Sequence, residues 1–223
     1  MNLRKTISFL LAAFFGSLSS PVNSQINLKA GYNISTVSDP GLDQVIETFS
    51  AIQPYTSSFK SLGWVHGFEA GLRFKSDIHA LELTYQNGYQ PLKAQGDHND
   101  GTGPYTDKIK LGIQSGAIGY QVTGELFGMG TDLQYQWYTT RVELASTTTK
   151  YKDVQKMLAL KFYLMFTLKG SGGVDAALQP YFLLPFDTYD LDPLSQYLNQ
   201  ETGPAGKKWT RFGLTVLFYN GNK

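Results

Sequence analysis

Apolar and polar side chains alternate along residues 25–37, QINLKAGYNISTV. Ile26, Leu28 and Ile34 occupy one register of this alternation, and Lys29 lies in the other. Successive side chains of a β-strand point to opposite faces, so the pattern predicts a strand with one apolar and one polar face. The pattern recurs seven more times, which predicts an all-β chain. The eight predicted strands cover residues 25–37, 63–75, 79–90, 107–116, 131–139, 157–169, 174–187 and 211–219.

The connections between the predicted strands alternate between long and short, which indicates an up-and-down strand order. The long polar connections span roughly residues 38–62, 91–106, 141–156 and 188–208 and contain turn-forming residues. All of them therefore emerge at one end of the sheet. For the short turn at Ser76 and Asp77, we expect a hairpin that places Lys75 opposite Ile78. In that register Arg73 and Glu82 are diagonal neighbours.

The apolar face of these strands can point inward, as in a soluble lipocalin-type barrel, or outward to lipid. Eight strands enclose an interior only just wide enough for side chains to fill. The many large apolar residues do not fit there, whereas a polar face containing Gly31, Gly71 and Gly213 does. Strands of this length match the tilted strands that cross a bilayer. Aromatic residues such as Trp64, together with Trp209, lie near predicted strand ends, where aromatic girdles are found in membrane barrels. We therefore predict an up-and-down antiparallel eight-stranded transmembrane β-barrel.

Composition and the first residues narrow the classes of function. Charged residues make up only 17% of the chain, the net charge is +1 and there is no cysteine. These values exclude disulfides, thiolate metal sites and a cysteine nucleophile, and they argue against a nucleic-acid partner. Arg4 and Lys5 precede a short apolar stretch at residues 7–20, which predicts a signal peptide over residues 1–24 and a barrel domain over 25–223. An uncleaved anchor helix is the alternative.

Two segments resemble parts of a known family. The segment GYNIS at residues 31–35 is similar to the first strand of small outer-membrane barrels in Bacteroidetes, and the aromatic-ended segment at residues 212–218 resembles the assembly signal of such barrels. The chain thus resembles the eight-stranded outer-membrane barrels of the OmpA/OmpX type, although five residues follow Phe218 where the family usually ends. The resemblance implies the outer membrane of a Gram-negative bacterium, with its lipid and other outer-membrane or periplasmic proteins as partners.

Candidate chemistry is sparse along the chain. A lipid A deacylase needs a histidine and a serine two residues apart, and none of the three histidines has that spacing. His66 lies among apolar residues, where an interfacial role is expected. The loop GDHNDGTG at residues 96–103 offers Asp97, Asn99 and Asp100 as oxygen ligands, but its spacing departs from a calcium loop. We expect no catalytic residue, cofactor or metal site.

The predicted lumen face carries charges of both signs. Unpaired buried charges are costly, so we expect these side chains to form a salt-bridged network that closes the lumen. The alternative is that they remain solvated near the mouths. The predicted network contains Lys29, Glu69, Arg73, Glu82, Lys110, Asp132, Lys161 and Arg211.

Two predicted outer loops carry apolar residues, at 42–52 with roughly helical spacing and at 187–197 among acidic residues. Such residues either mark a partner surface or fold back over the barrel rim, and we expect the second. Taken together, the sequence predicts a non-enzymatic barrel with a structural role or an accessory role in an envelope complex. A lipid-modifying or proteolytic barrel enzyme and a narrow pore or small-ligand transporter are the alternatives.

Overall fold

The computed structural model describes residues 25–37, 39–97, 103–145, 147, 150–170, 173–198, 206 and 208–220. The predicted signal peptide and residues 98–102 of the GDHNDGTG loop lie outside this part of the chain. The strands are β1 (Gln25–Val37), β2 (Tyr55–Ser57), β3 (Trp64–Ser76), β4 (His79–Asp97), β5 (Pro104–Thr123), β6 (Phe127–Glu143), β7 (Tyr151–Leu168), β8 (Val174–Pro185) and β9 (Arg211–Asn220). The helices described are α1 (Pro40–Ala51) and α2 (Asp192–Tyr197).

Eight of these strands form a closed antiparallel barrel. Each long strand pairs with its neighbours in the chain, and β1 pairs with both β3 and β9 so that the sheet closes. The short strand β2 pairs with the end of β4 beyond the point where β3 begins. None of the helices within the described residues is long and apolar enough to cross a membrane. The predicted all-β, up-and-down, eight-stranded architecture is confirmed.

The barrel wall is tall on one side and short on the other. Strands β4 to β7 contain between 17 and 20 residues, whereas β1, β3, β8 and β9 contain between 10 and 13. The predictions of loops over 91–106 and 141–156 are therefore wrong for most of these residues. These segments remain extended because their inward side chains, among them Leu92, Ala94 and Val142, are buried against the residues of the long loops.

The two faces of the tall wall exchange polarity along β4, β5 and β6, whereas on β7 the outward face changes from apolar to basic and the inward face stays mixed. On β4, Leu83, Tyr85 and Tyr89 point outward and are exposed, while Glu82 and Gln86 point inward and are buried. Beyond Gln90 the inward side chains are apolar, and the outward side chains from Lys93 onward are polar. We call the part with a polar interior the short-turn half and the part with an apolar interior the long-loop half, after the connections at each end. The residues after the exchange on β4 are Pro91, Lys93, Gln95 and Asp97 outward and Leu92 and Ala94 inward.

The hairpin between β3 and β4 turns one residue later than predicted. Ser76 pairs with His79, so the turn residues are Asp77 and Ile78. Asp77 has a φ of 53°, a left-handed conformation that aspartate tolerates better than most residues. The shift makes Arg73 and Glu82 direct partners rather than diagonal neighbours, and it keeps both side chains on the lumen face.

Strand β8 is formed despite its two prolines, but its ladder with β7 is interrupted. Tyr163 pairs with Tyr181 and Phe166 pairs with Leu178, while no pairing joins Pro180 to β7. Proline has no N–H to donate, which accounts for the gap. An apolar groove of about 650 Å³ lies in the wall at this point.

Candidate functional site: a filled lumen

Six charged side chains meet in the middle of the lumen. Lys29 Nζ lies 2.9 Å from Glu69 Oε1 and 2.6 Å from Glu82 Oε2. Lys161 Nζ lies 3.5 Å from Glu69 Oε2 and 3.7 Å from Asp132 Oδ2. Arg73 extends the cluster toward the short turns, with its Nε 3.7 Å from Glu82 Oε1. Three cations therefore face three carboxylates in a space that solvent hardly reaches.

Strand register brings these charges together. Asp132 is paired with Lys161 across β6 and β7, just as Arg73 is paired with Glu82 across β3 and β4. Gly119 is the partner of Asp132 on its other side, and a Cβ at this glycine would clash with Asp132 Oδ1. The glycine therefore leaves the space that the carboxylate occupies, as expected for a crowded lumen.

Neutral side chains fill the remaining space around the charges. Gln86 donates a hydrogen bond to Glu69, and Lys161 donates one to Gln179 Oε1 at 3.0 Å. The Lys161 ammonium also lies 4.7 Å from the centre of the Tyr181 ring, within the range of a cation–π contact. Lys161 thus has ionic, hydrogen-bonding and aromatic neighbours and is completely buried.

The structure brings together six of the eight residues predicted for the lumen network. Arg211 also faces the lumen but lies in the long-loop half, 6.0 Å from the centre of the Tyr138 ring. The prediction for Lys110 is wrong: it points outward and pairs with Glu143 at 2.7 Å. The inward positions beside it hold Ile109 and Leu111, since the interior at this height is apolar.

The short-turn end of the lumen combines a small apolar cluster with buried polar side chains such as Gln121 and Asn27. A small buried cluster there consists of Met165, Ala177, Leu217 and Tyr219. The guanidinium of Arg73 lies 5.0 Å from the centre of the Tyr219 ring, so the charged cluster passes directly into this layer. Side chains therefore also occupy the lumen between the charged cluster and the short turns.

Helix α1 closes the lumen at the long-loop end. Asp39 caps its first turn by accepting hydrogen bonds from the N–H groups of Gly41 at 2.8 Å and Leu42 at 3.3 Å, and Pro40 occupies a favoured first position. The apolar stripe of the helix, which includes Val45 and Ile46, is buried against the inner face of the tall wall. The interpretation of residues 42–52 as a cap is confirmed.

The last long loop supplies the second part of the cap. The rings of Tyr189 and Trp209 are stacked with their centres 4.2 Å apart, and the Trp209 indole N–H donates to Asp39. Burial raises the pKa of Tyr189, whose hydroxyl lies 2.6 Å from Thr140 Oγ1. The prediction that Trp209 belongs to an aromatic girdle at the strand ends is wrong, since it is buried in the cap. Leucines recur in this loop at roughly helical spacing, a signal that the prediction for residues 187–197 did not use. Its buried leucines are Leu191, Leu194 and Leu198.

Strand β2 ties the first loop to the tall wall. The Tyr55 hydroxyl donates to Asp107 Oδ2 at 2.5 Å, and Asp107 Oδ1 accepts from the Ala145 N–H at 2.6 Å. Partial burial, and then the neighbouring Asp107 carboxylate, raise the pKa of Tyr55. The hydroxyl therefore stays protonated and keeps its hydrogen bond across the physiological range.

Two histidines lie on the outer wall, each beside a tyrosine. His66 Nδ1 is 2.7 Å from the Tyr32 hydroxyl, and His79 Nδ1 is 2.6 Å from the Tyr120 hydroxyl. Both pairs are exposed on the barrel exterior and point away from the lumen cluster. Within the described residues, no group of three potential metal ligands of the His, Cys, Asp or Glu type comes together.

Comparison with known proteins gives a fold and no closer relationship. No family model matches the chain, and no curated protein sequence matches it. Among solved structures it is similar to Ail, the attachment invasion locus protein of Yersinia pestis, at 9% identity over 87% of this chain and 95% of that one, with a TM-score of 0.51. It is also similar to the N-terminal barrel domain of Pseudomonas aeruginosa OprF, at 10% identity over 88% of this chain and 99% of that one, with a TM-score of 0.45. The likeness to Ail shows that the chain has the fold of the small eight-stranded outer-membrane β-barrels.

Proposed function

We propose that this chain is a non-conducting, non-enzymatic barrel of the outer membrane of a Gram-negative bacterium, where it serves as a structural or accessory subunit of an envelope complex. The observation that carries the proposal is that side chains fill the lumen at three successive levels. Helix α1 and the Tyr189–Trp209 pair close the long-loop end, and the six charges fill the middle. The buried cluster that contains Met165 closes the short-turn end. Such a filled lumen supports a role performed by the outer surfaces.

The exterior of the short-turn half supports a membrane location. Large apolar side chains project from it and remain exposed, among them Leu83, Leu133, Leu164 and Phe218. A contiguous exposed apolar surface is unfavourable in water but favourable against lipid. The fold and this band together favour a barrel whose short-turn half spans the bilayer.

The long-loop half supports an accessory role because it is a folded platform. Capping by Asp39, the Tyr55–Asp107 hydrogen bond and the stacked Tyr189 and Trp209 rings hold its segments in place. A surface that is already ordered loses less conformational entropy when it binds a partner. The exposed side chain of Ile52, at the end of α1, offers an apolar contact on this platform.

Recording across planar bilayers tests the non-conducting character. Purified protein inserted into the bilayer should give no steady, reproducible single-channel current. A stable conductance level would contradict the filled lumen and favour the pore or transporter alternative. Slower migration of the boiled protein on a denaturing gel, compared with the unboiled protein, would show that the recorded sample contains closed barrels.

Purification of the native protein in mild detergent tests the accessory role. We expect a stoichiometric partner from the envelope to remain bound, and we expect Ile52→Glu to weaken its retention more than Glu47→Gln, an exposed change on the same helix. Recovery of the chain alone under several mild detergents would contradict this role.

Mass spectrometry of lipid A from cells with and without the gene tests the non-enzymatic character. We expect the same set of acyl chains and head-group modifications in both samples. A gain or loss of one acyl chain that depends on the gene would favour a lipid-modifying enzyme instead.

A further inference from the structure

The outward face of the long-loop half is strongly basic on the four tall strands. We call the seven cationic side chains there the basic face. It consists of Lys93 on β4, Lys108 and Lys110 on β5, Arg141 on β6, Lys150 just before β7, and Lys152 and Lys156 on β7. The same surface carries two carboxylates, Asp97 and Glu143. The whole chain has a net charge of only +1, so positive charge is concentrated on this surface.

Strand register places the basic side chains directly beside each other. Lys110 is paired with Arg141, which is paired in turn with Lys152, and Lys93 is paired with Lys108. Directly opposed residues lie about 5 Å apart at their Cα atoms, and like charges in such positions repel. Glu143 forms an ion pair with Lys110, is the register partner of Lys108 and also interacts electrostatically with Lys150. Within the described residues, no ion pair is found for the remaining four cations, so the repulsion is relieved only in part.

The basic face continues directly from the apolar band of the short-turn half. On β4, exposed Tyr89 is followed on the same side by Pro91 and Lys93, and on β7 exposed Leu158 is followed by Lys156. Along each strand, outward residues two apart are separated by about 7 Å. Lys156 thus lies within about one head-group layer of the surface that faces acyl chains, and Lys93 lies one outward position farther away.

The short wall differs at the same end of the barrel. The outward side chains near the ends of β3, β8 and β9 are apolar, and they include Trp64, Leu184 and Phe212. The positive charge is therefore confined to one side of the barrel and follows the four tall strands.

We propose that the basic face binds the phosphate-bearing head groups of anionic lipids in the leaflet that surrounds the long-loop half. The assignment rests on the membrane location proposed above. Two features of the face select this partner: its charge is complementary to phosphate, and it is continuous with the lipid-facing band. Bound phosphates relieve the repulsion within the rows Lys110–Arg141–Lys152 and Lys93–Lys108. A lipid held in this way also fixes the height and tilt of the barrel in the bilayer.

Lipid titration of the full mature chain in neutral detergent micelles, followed by native mass spectrometry, tests the assignment. The probes are diphosphoryl lipid A and zwitterionic phosphatidylcholine. The test variant combines Lys93→Gln, Arg141→Gln and Lys152→Gln. The control combines Lys60→Gln, Lys169→Gln and Lys208→Gln, which removes the same charge from exposed positions outside the basic face. The gel shift between unboiled and boiled samples shows whether each variant is folded.

The wild-type chain should bind diphosphoryl lipid A more tightly than phosphatidylcholine. The test variant should lose at least about tenfold in affinity for lipid A, and the control should stay within about twofold of the wild type. For the wild type alone, raising the salt from about 0.05 M to about 0.5 M should weaken lipid A binding and leave phosphatidylcholine binding unchanged, because salt screens exposed charges.

Equal binding of lipid A by the test variant and the wild type would overturn the assignment, and so would equal binding of the two lipids by the wild type. Dextran sulfate, a soluble polyanion, is the third probe in the binding experiment. If it binds to the basic face while lipid A does not, the partner is a soluble polyanion and the lipid assignment is wrong. A conductance in planar bilayers would overturn the proposed function without affecting any of these results.

Discussion

Lys161 and Ile109 both point into the same barrel and are both completely buried, yet their surroundings differ in every respect. Lys161, in the short-turn half, is surrounded by carboxylates, an amide and aromatic rings. Ile109, in the long-loop half, belongs to a cluster of aliphatic and aromatic side chains that includes the stripe of α1. Burial alone therefore does not determine whether the interior of this barrel is polar.

The proposed membrane location accounts for the difference. In the short-turn half the exterior side chains are apolar, and the alternation of a strand then leaves the polar residues for the interior. In the long-loop half the exterior is charged, as expected for contact with water and head groups, and the interior is apolar as in a soluble protein. In each half, the residues on the exterior thus match the polarity of the surroundings and the opposite type fills the interior.

The largest expected effect concerns the charged interior. Glu82→Ala leaves Lys29 and Arg73 without one of their carboxylates in a buried site, and it should lower the free energy of unfolding by about 3–5 kcal/mol. Urea titration of the refolded barrel in lipid vesicles would measure the change. As a control, Glu143→Ala removes the partner of Lys110 on the exposed wall and should leave stability nearly unchanged. A small effect at Glu82 would mean that water solvates the lumen charges.

The apolar interior should respond to loss of volume instead of loss of charge. Ile46→Ala creates a cavity between α1 and the tall wall and should lower the free energy of unfolding of the cap by about 2–5 kcal/mol. Hydrogen exchange of the α1 amides would report this change, with Glu47→Ala on the exposed side of the helix as the control. Unaltered protection in Ile46→Ala would show that the helix does not depend on this contact.

The exterior should show the opposite preference in the two halves of a single strand. Leu160 and Val154 both point outward on β7, but Leu160 lies in the short-turn half and Val154 lies between Lys152 and Lys156. Leu160→Arg should cost about 2–4 kcal/mol of stability in vesicles, whereas Val154→Arg should cost at most about 1 kcal/mol. Similar costs at both positions would show that the two residues face the same medium.

The smallest effect should come from the hydrogen bond that attaches β2 to the tall wall. Tyr55→Phe should reduce the protection of the first loop in hydrogen exchange by about 1 kcal/mol. Since folding raises the pKa of Tyr55, the contribution is fully present below the ordinary tyrosine pKa of about 10 and declines as the pH rises above it. The difference between wild type and variant should therefore narrow at high pH. If the difference between wild type and Tyr55→Phe stayed constant with pH, the Tyr55 hydroxyl would not ionise when the first loop is detached from the wall.

Much of the short-turn half could be predicted from sequence alone. Strict alternation identifies the strands, and the narrow interior of eight strands indicates that the bulky face points outward. These two arguments place Lys29, Glu69 and Lys161 in the lumen, where the structure has them. The turn of the β3–β4 hairpin was harder to predict, because Ser76, Asp77 and Ile78 are compatible with either of two adjacent turns and only the strand pairing distinguishes them.

The long-loop half was harder to predict because alternation does not indicate which face is inside. The residues from Leu92 to Ala94 alternate as regularly as those before them, but with exchanged polarity. Assigning every apolar residue to the lipid side therefore placed Lys110 in the lumen and treated the ends of the tall strands as loops. The position of Trp209 depends on its contacts with Asp39 and Tyr189, which are distant in sequence.

Accessibility along one strand tests most directly the claim that the wall changes its surroundings where its polarity is exchanged. The chain has no cysteine, so single cysteines can be placed at Leu83, Tyr85, Lys93 and Gln95, all outward on β4. After refolding into vesicles, a water-soluble maleimide should label the cysteines at 93 and 95 rapidly and leave those at 83 and 85 unmodified. Equal labelling at all four positions would contradict the account.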